Sequence, residues 1–379
     1  MRAPERDPHA DPPRRIALVI TRSDAVGGAQ IHVLELARAL QQAGQIVRVF
    51  VGGEGPFVAR LRHASVPVTP IPAMIRELDP RAELRAIAQL IAALRRFDPE
   101  LISAHSTKAS ILSRLLGFGM QVPVVITAHG WLLTPGKLSA RQQLIRLVEL
   151  ATAPMVGRII AVSNYDRALA LEHRVIDADK ITVVHNAMPD VDGSLLATAE
   201  SSPPRIVMVA RLEAPKDPIT AVTALVRLRE LDWRCELIGD GPLRPELEAA
   251  LRGSGIEDRV ELIGARDDVP ERLADGQLFM LSTRREGFPL SVLEAMRAGL
   301  PVVASDVGGI GEALTPGCGT LVEPGSPAAL ADALAPLIRD PELRRRQGSA
   351  ARARFLAEFQ HDVHVRRIWA VYMDVIEGL

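Results

Sequence analysis

The residues best suited to chemistry lie in the segment STRREGFPLSVLEAMRAGLPVV, whose start overlaps the end of a short apolar run at 278–282. Glu286 and Glu294 are eight positions apart in this segment, a spacing that carries no weight by itself. The turn between the two glutamates makes this spacing informative, because a proline such as Pro289 is typical of the first turn of a helix. The segment therefore predicts a loop carboxylate beside a helix N-terminus and a second carboxylate about one turn inside the helix.

Backbone amides add binding capacity to this turn. Gly287, Phe288 and Pro289 form a rigid corner directly before the predicted helix. The first N–H groups of a helix have no partner within the helix, and they attract anions and hydroxyl oxygens. We therefore expect the amides of Phe288, Leu290 and Ser291 to bind a sugar or a phosphate.

Two cations follow the apolar run at 205–210. Arg211 and Lys216 lie five positions apart on the loop RLEAPKD, which leads into the next helical pattern. Arginine grips phosphate oxygens in pairs and lysine supplies a compact charge, so the two suit a diphosphate. The ordinary alternative is a solvated charged loop. Only four of the 45 basic residues are lysines, which favours a specific role for Lys216.

Two features in the first half of the chain also follow predicted strands. Gly27 and Gly28 form a turn directly before a helical pattern, where an anion could bind or where the chain simply turns tightly. His129 follows the apolar run at 123–128 and can point into a cleft, or it can be a capped loop histidine. Ligands of open parallel sheets bind at the carboxyl ends of strands, which is where both features lie.

Several function classes are excluded by missing motifs and by composition. The chain has no G-x-G-x-x-G, and GWLLTPGK has five residues rather than four between its glycines, so neither a dinucleotide site nor a P-loop is predicted. A net charge of -1 provides no global field for nucleic acid. Cys235 and Cys318 form no CxxC or zinc spacing, which fits a reducing cytoplasm.

The organisation of the chain is that of two α/β domains. With 379 residues and 47% apolar composition, two cores are expected. Short apolar runs alternate with amphipathic segments, a pattern typical of parallel sheets with helical crossovers. The predicted strands are 15–21, 46–51, 66–71, 100–104, 123–128, 158–162, 181–185, 205–210, 234–239, 259–263, 278–282, 301–304 and 319–322. The predicted helices are 29–43, 81–96, 108–118, 139–152, 164–174 and two within 326–358.

Domain boundaries follow from breaks in this pattern. Residues 1–14 are polar and rich in proline and are predicted to be a flexible tail, followed by a Rossmann-like domain at 15–187. An acidic, proline-containing linker is predicted at 188–204 and a second Rossmann-like domain at 205–359. A terminal helix at 360–379 must bury an aromatic face, either on its own domain or back on the first one.

Taken together, these motifs resemble the retaining glycosyltransferases of family 4, which have the GT-B fold. The family carries a carboxylate–x7–carboxylate motif like Glu286-GFPLSVL-Glu294, a Gly-Gly loop after the first strand and an Arg…Lys pair in the second domain. GDGP at 239–242 is similar too, and GGAQ, HSTKAS and HGW resemble members that build exopolysaccharide and other cell-envelope glycans. The resemblance implies two Rossmann-like domains whose parallel sheets face each other across a cleft.

The resemblance also implies roles for individual residues. Arg211 and Lys216 would hold the donor diphosphate and stabilise charge on the leaving nucleotide, while Gly28 would approach that diphosphate from the first domain. Glu286 and the amides of 287–290 would fix the hydroxyls of the donor sugar, and Glu294 would take those of the ribose. The His129 carbonyl or imidazole would face the anomeric region of the sugar. With Arg211, Lys216, Glu286 and His129 as catalytic residues, the donor-binding set is Gly28, Arg211, Lys216, Glu286, Gly287, Phe288, Pro289, Leu290, Ser291 and Glu294.

The implied function is metal-independent, retaining transfer of a sugar from a nucleotide-sugar, UDP being the family's commoner choice, to a glycan or lipid-linked acceptor. No metal or other cofactor is expected, since the Asp-x-Asp matches at 177–179 and 190–192 lie before a strand and in the linker. A catalytically silent nucleotide-sugar-binding subunit and a GT-B epimerase remain alternatives. The basic amphipathic helices at 81–96 and 139–152 leave peripheral contact with the inner membrane surface open, against ordinary packing on the sheet.

Overall fold

The computed structural model describes residues 4–24, 26–75 and 79–378. Residues 1–3 of the predicted tail and residue 379 of the predicted terminal helix lie outside this part of the chain. The chain forms two compact units, unit 1 comprising Met1–Asn186 with Asp362–Leu379 and unit 2 comprising Ala187–His361. The segment predicted as a linker thus belongs to unit 2.

Unit 1 is built on a seven-stranded parallel sheet of order β3-β2-β1-β4-β5-β6-β7. The strands are apolar on both faces because helices cover both sides of the sheet. They are β1 (Arg15–Ile20), β2 (Ile46–Gly52), β3 (Val68–Ile71), β4 (Leu101–Ala104), β5 (Val124–Ala128), β6 (Arg158–Ala161) and β7 (Ile181–Val183). The helices are α1 (Gly28–Gln42), α2 (Pro56–His63), α3 (Pro80–Phe97), α4 (Thr107–Met120), α5 (Ala140–Thr152) and α6 (Asn164–Glu172).

The C-terminal helix completes the core of unit 1. The last helix of the chain runs over His361–Glu377 and buries Trp369 and Tyr372 completely, in one cluster with the apolar residues of β1 and α1. Of the two packings that the sequence leaves open for this helix, the structure therefore adopts the return to the first domain.

Residues 4–14, predicted as a flexible tail, make specific contacts with the rest of unit 1. Arg6 is bonded to both Asp11 and Glu377, and the indole of Trp369 donates to Asp11 Oδ2 at 2.7 Å. Gln45 Nε2 also donates to the Pro8 carbonyl at 2.7 Å. Polar, proline-rich composition suggested a solvated segment, but its charges have specific partners on the terminal helix.

Unit 2 has a six-stranded parallel sheet of order β10-β9-β8-β11-β12-β13. Its strands are β8 (Arg205–Val209), β9 (Arg234–Ile238), β10 (Val260–Gly264), β11 (Leu278–Leu281), β12 (Val302–Ser305) and β13 (Gly319–Val322). The helices are α7 (Pro218–Arg227), α8 (Arg244–Leu251), α9 (Val269–Ala274), α10 (Leu290–Ala298), α11 (Ile310–Ala313), α12 (Pro327–Arg339) and α13 (Pro341–Glu358), and the terminal helix is therefore α14.

Each sheet has a point where its strand order reverses, between β1 and β4 in unit 1 and between β8 and β11 in unit 2. The connections after the two central strands leave in opposite directions there, which opens a crevice at the carboxyl ends. These two points decide which of the motifs can meet. The loops after β8 and β11 carry Arg211, Lys216 and Glu286, whereas the loop after β4 carries His105.

Candidate active site

An ion pair joins the two loops at the reversal point of unit 2. The Lys216 ammonium, from the loop after β8, binds the Glu286 carboxylate, from the loop after β11. Thr283 Oγ1 donates to Glu286 Oε1 at 2.8 Å, so the lysine and the threonine engage the same carboxylate oxygen. The side chains of Lys216 and Glu286 are only 15% and 11% exposed. The structure therefore brings together a cation and a carboxylate that the sequence predicts separately.

The main chain holds these two loops against each other. Lys216 and Thr283 form an antiparallel β-bridge. On either side of it, the amide of Asp217 donates to the Ser282 carbonyl at 3.0 Å, and that of Arg284 donates to the Pro215 carbonyl at 2.9 Å. Because the backbone is fixed on both sides, the Lys216 and Glu286 side chains emerge from a rigid base.

Asp217 anchors the same loop to the helix that follows it. Its carboxylate caps α7 by accepting from the Thr220 amide at 3.2 Å and from the Thr220 hydroxyl at 2.9 Å. Arg284 Nε donates to Asp217 Oδ2 at 2.5 Å, the same oxygen that accepts from the Thr220 hydroxyl. Capping of this kind fixes where the chain enters the helix, and it sets the position of Lys216 one residue earlier.

Arg211 lies two residues after the end of β8 with its side chain 41% exposed, and it is bonded to Glu213 rather than to Lys216 or Glu286. Its loop is supported by the GDGP segment, because the Leu212 amide donates to the Asp240 carbonyl at 2.9 Å. Gly239 has φ +135°, and a Cβ there would overlap the Ala210 carbonyl. A glycine is therefore required where this segment approaches the Arg211 loop.

A second close approach fixes the backbone of Glu286. Gly308 has φ +59°, and a Cβ at this position would overlap the Glu286 carbonyl oxygen. The neighbouring Gly309 amide donates to the Gly287 carbonyl at 2.8 Å. The glycine-rich turn after β12 thus supports the corner that presents Glu286.

The corner itself is largely inside the protein. Gly287, Phe288, Pro289 and Leu290 are all buried, and the Phe288 ring packs at 5.6 Å between centroids on the ring of Phe359. The helix α10 begins at Leu290 with Pro289 as its N-cap. Residues 287–290 can therefore present main-chain atoms to a ligand but little side-chain surface. Further along α10, Ser291 and Glu294 are half-buried, with Glu294 one turn inside the helix.

In unit 1, Gly28 is the first residue of α1 and Gly27 its N-cap. The Gly27 amide donates to Gln30 Oε1 at 3.2 Å, and Gln30 Nε2 donates to the Arg22 carbonyl at 3.3 Å. The Gly-Gly turn is thereby held at the carboxyl end of β1. Glycine leaves main-chain atoms accessible there, as the prediction of an anion-binding turn requires.

His129 belongs to a cluster of four imidazoles in unit 1. His105 Nδ1 lies 3.3 Å from His129 Nε2, and the ring of His32 lies 4.7 Å from that of His129 between centroids. His364 of α14 is the fourth member, 5.2 Å from His32. Burial lowers the pKa of His129 to about 4. Burial, and then the neighbouring His129, lower the pKa of His105 well below its ordinary value, so both rings are neutral near pH 7.

Of the four histidines in this cluster, only His129 is among the residues predicted from the sequence. His105 follows β4 as His129 follows β5, and the two strands are neighbours. The signal that could have found His105 was its place at a strand's carboxyl end, in the HSTKAS segment that enters the family resemblance. His32 and His364 lie inside helices, and their positions carry no such signal.

The histidine cluster is also the one group in the described chain placed as metal ligands would be. The candidate ligand atoms of His32, His105 and His129 lie within 4.8 Å of one another. Three imidazoles suit Zn²⁺. However, both ring nitrogens of His105 already lie at hydrogen-bond distance from Ser103 and His129. The Asp-x-Asp matches at 177–179 and 190–192 form no such group among the described residues.

Comparison with known proteins assigns the chain to a family. Residues 26–190 match the model of glycosyltransferase family 4, and residues 197–354 match that of the glycosyl transferases group 1. The chain belongs to the family-4 glycosyltransferases and has the GT-B fold, an α/β fold of two Rossmann-like domains. The fold is shared with Anabaena HepE, whose structure in complex with UDP and glucose superposes with a TM-score of 0.82 at 21% identity, over 97% of this chain and 100% of that one.

Two relatives show the range of activities among similar sequences. An Escherichia coli UDP-Gal:alpha-D-GlcNAc-diphosphoundecaprenol alpha-1,3-galactosyltransferase is 26% identical over 63% of this chain and 66% of its own length. A Mycobacterium leprae phosphatidyl-myo-inositol mannosyltransferase is 28% identical over 95% of this chain and 97% of its own. The chain spans only 66%, 43% and 46% of three curated relatives that it matches. Within the described residues, no helix combines the length and apolar character of a membrane span.

Proposed function

We propose that the protein transfers a sugar from a nucleotide-sugar, in the first instance a UDP-sugar, to a hydroxyl of a glycan or lipid-linked acceptor in cell-envelope or exopolysaccharide synthesis. The transfer retains the anomeric configuration and needs no metal ion. The observation that carries the proposal is the Lys216–Glu286 pair at the reversal point of unit 2, with Thr283 fixing the same carboxylate. The family supports the reaction class, and the named relatives support the donor and acceptor classes.

The cations supply the electrostatic part of the reaction. Breaking the bond between sugar and diphosphate leaves negative charge on the nucleoside diphosphate, and fixed cations stabilise that charge in the transition state. Lys216 is held by Glu286, and Arg211 by Glu213. A diphosphate would draw the two cations towards itself and take the place of the carboxylates as their partner.

Glu286 is proposed to bind the donor sugar rather than to attack it. Its Oε1 accepts from Thr283 and binds Lys216 until a diphosphate draws the lysine away, and its Oε2 is left to accept from a sugar hydroxyl. Retention then arises from attack on the same face that the leaving group departs from, with a phosphate oxygen of the leaving group taking the acceptor proton. In this scheme Glu294 binds the ribose, Gly28 and the amides of 287–290 add main-chain contacts, and His129 faces the anomeric region.

A transfer assay tests the proposal. The purified chain is incubated with UDP-, GDP- and ADP-sugars and with an undecaprenyl-diphosphate-linked acceptor, with and without EDTA, and products are read by mass spectrometry. We expect one donor to react equally in both conditions, and an NMR spectrum of the product should show the donor's anomeric configuration. An EDTA-sensitive reaction would contradict metal independence, and an inverted product would contradict retention.

Arg211→Ala has a closely matched control in Arg266→Ala. Both arginines bind a carboxylate two residues further on in unit 2, and their side chains are 41% and 43% exposed. We expect Arg211→Ala to lower kcat by about 10²-fold or more and Arg266→Ala to leave it unchanged. An equal fall in kcat in the two variants would contradict a catalytic role for Arg211. Nucleotide binding with no transfer by the unaltered chain would instead favour a silent binding subunit.

A further inference from the structure

A chain of hydrogen bonds in unit 1 runs from the terminal helix to His129. Tyr372 OH lies 2.7 Å from Ser103 Oγ, Ser103 Oγ lies 3.0 Å from His105 Nε2, and His105 Nδ1 lies 3.3 Å from His129 Nε2. Tyr372 comes from α14, Ser103 from β4, and the two histidines from the loops after β4 and β5. These hydrogen bonds therefore link the C-terminal segment to His129, which the sequence predicts as a catalytic residue.

The number of protons available fixes which group donates and which accepts in the first two hydrogen bonds of this series. Tyr372 and Ser103 are completely buried, and among the described residues the only hydrogen-bond partner of the tyrosine hydroxyl is Ser103. If the serine donated to the tyrosine, the phenolic proton would be buried without an acceptor, which is costly. Tyr372 therefore donates to Ser103. The single hydroxyl proton of Ser103 then goes to His105 Nε2, its one remaining partner among the described residues.

The direction of the hydrogen bond from Ser103 also fixes the tautomers of the two imidazoles. A neutral imidazole has one N–H donor and one acceptor nitrogen. His105 Nε2 accepts from Ser103, so its proton is on Nδ1 and is donated to His129 Nε2. His129 Nε2 is thereby an acceptor, and the one proton of its ring is on Nδ1.

From this geometry we infer that Tyr372, Ser103 and His105 are positioning residues that hold His129 in its Nδ1–H tautomer, as a hydrogen-bond donor to an oxygen of the bound substrate. In this state neither nitrogen of His129 can take up a proton without breaking the chain, because Nε2 is occupied and Nδ1 is protonated. His129 therefore serves as a fixed dipole and not as a general base. The tautomer rests on unit 1 alone, whereas the identity of the oxygen, on the donor sugar or its phosphate, rests on the proposed function.

Nitrogen NMR measures the tautomer directly. The full chain is labelled with 15N-histidine, and two-bond correlations distinguish the protonated from the unprotonated ring nitrogen of each neutral imidazole. The signals of His129 are assigned by their loss in His129→Gln. We expect the unaltered protein at pH 7.5 to show a protonated Nδ1 and an unprotonated Nε2 for His129. A protonated Nε2 would overturn the inference.

Variants of Ser103 and Tyr372, with a matched control, test whether this series of hydrogen bonds sets the tautomer of His129. Ser103→Ala removes the link between Tyr372 and His105, and we expect the His129 signals to move to the values of mixed tautomers. Ser113→Ala replaces another completely buried serine of unit 1, one that takes no part in this series of hydrogen bonds. This control variant should leave the His129 signals unchanged. Unchanged His129 signals in Ser103→Ala would overturn the inference. If that variant does not fold, Tyr372→Phe keeps the ring and removes only the first donor, and a smaller shift in the same direction is expected.

An activity measurement and a metal titration complete the test. In the transfer assay, Ser103→Ala should lower kcat by about tenfold, the value of one net hydrogen bond, while Ser113→Ala should not. Absence of transfer in the unaltered protein would defeat the proposed function and leave the tautomer result standing. Stoichiometric addition of ZnCl₂ should not shift the signals of His32, His105 and His129. A joint shift at one equivalent would mean that the cluster binds metal, and would overturn the inference.

Discussion

The Lys216 ammonium binds the Glu286 carboxylate although the two residues are 70 positions apart. They meet because β8 and β11 are adjacent in the sheet of unit 2 and their carboxyl ends lie at one edge. Each group neutralises the other in a largely buried place, where an unpaired charge would be costly. A ligand with a diphosphate and sugar hydroxyls can replace both halves of this pair at once.

Separating the structural from the catalytic role of this pair requires a double variant. Lys216→Met leaves Glu286 without its cation, so we expect the free energy of unfolding to fall by about 1–3 kcal/mol and transfer to fall by about 10²-fold or more. Lys216→Met/Glu286→Gln removes both charges and should recover most of the stability and none of the transfer. Urea unfolding followed by circular dichroism, with the transfer assay, measures both. Recovery of transfer in the double variant would show that the lysine is needed only to neutralise Glu286.

Gly308→Ala should disturb the Glu286 backbone specifically. The added Cβ would overlap the Glu286 carbonyl oxygen, and φ +59° is itself unfavourable for alanine. Gly253→Ala is the matched control, since Gly253 has φ +70° with open space around its Cβ position. We expect positive φ to cost about 1–2 kcal/mol in both variants, the overlap to cost further stability in Gly308→Ala, and transfer to fall only in Gly308→Ala. Equal transfer rates in the two would contradict a role for this close approach.

Unit 1 should lose stability in acid because of His129. Burial lowers the pKa of this imidazole to about 4 in the folded protein, against 6.5 for the ordinary side chain. Between these values the unfolded chain binds a proton that the folded chain does not, so stability rises with pH. The contribution is fully present above pH 6.5 and is lost as the pH falls towards 4, by up to about 1.4 kcal/mol for each unit of the pKa difference.

Thermal unfolding at pH values from 4 to 8 checks this dependence. The midpoint should fall towards pH 4 more steeply in the unaltered protein than in His129→Gln, which has no imidazole to protonate at this position. His63→Gln changes a histidine at the end of α2 and should keep the steep dependence. Identical slopes in His129→Gln and the unaltered protein would contradict the assignment to His129.

Arg114 should be among the most sensitive polar residues of unit 1. Its guanidinium lies 2.7 Å from Glu149 and 2.6 Å from Thr152 Oγ1, with the Arg114 and Glu149 side chains 2% and 5% exposed. Arg114→Met leaves a buried carboxylate unpaired, which costs about 3–5 kcal/mol. Arg114→Met/Glu149→Leu should recover most of this loss in urea unfolding. A single variant within 1 kcal/mol of the unaltered protein would contradict the expectation.

The strands could be predicted because their residues are apolar on both faces, and the predicted run 278–282 differs from β11 by one residue. The family could also be predicted, because several short motifs occur along the sequence in the order typical of that family. The contacts could not be predicted, because they depend on strand order. Nothing local to Lys216 or Glu286 indicates that β8 lies next to β11, and Arg211 binds Glu213 instead of joining the pair.

The tail and the histidine cluster show a second limit. Composition predicted that residues 1–14 would be loose, but Arg6 and Asp11 find partners in α14, more than 350 positions away. His105 was passed over because a single histidine carries little information until its neighbours are known. Both features depend on side chains from distant segments meeting in one core, and periodicity along the sequence does not record such meetings.

The return of α14 to unit 1 has a consequence for the order of events during synthesis. Unit 2 is continuous over Ala187–His361 and has left the ribosome before Asp362–Leu379, the last segment of unit 1, is available. Until then, the nascent unit 1 lacks Trp369 and Tyr372, and the cavity that they fill exposes apolar surface. Unit 2 can thus fold first, although most of unit 1 is translated before it. The hydrogen bond between Ser103 and Tyr372 can form only after another 269 residues have been synthesised.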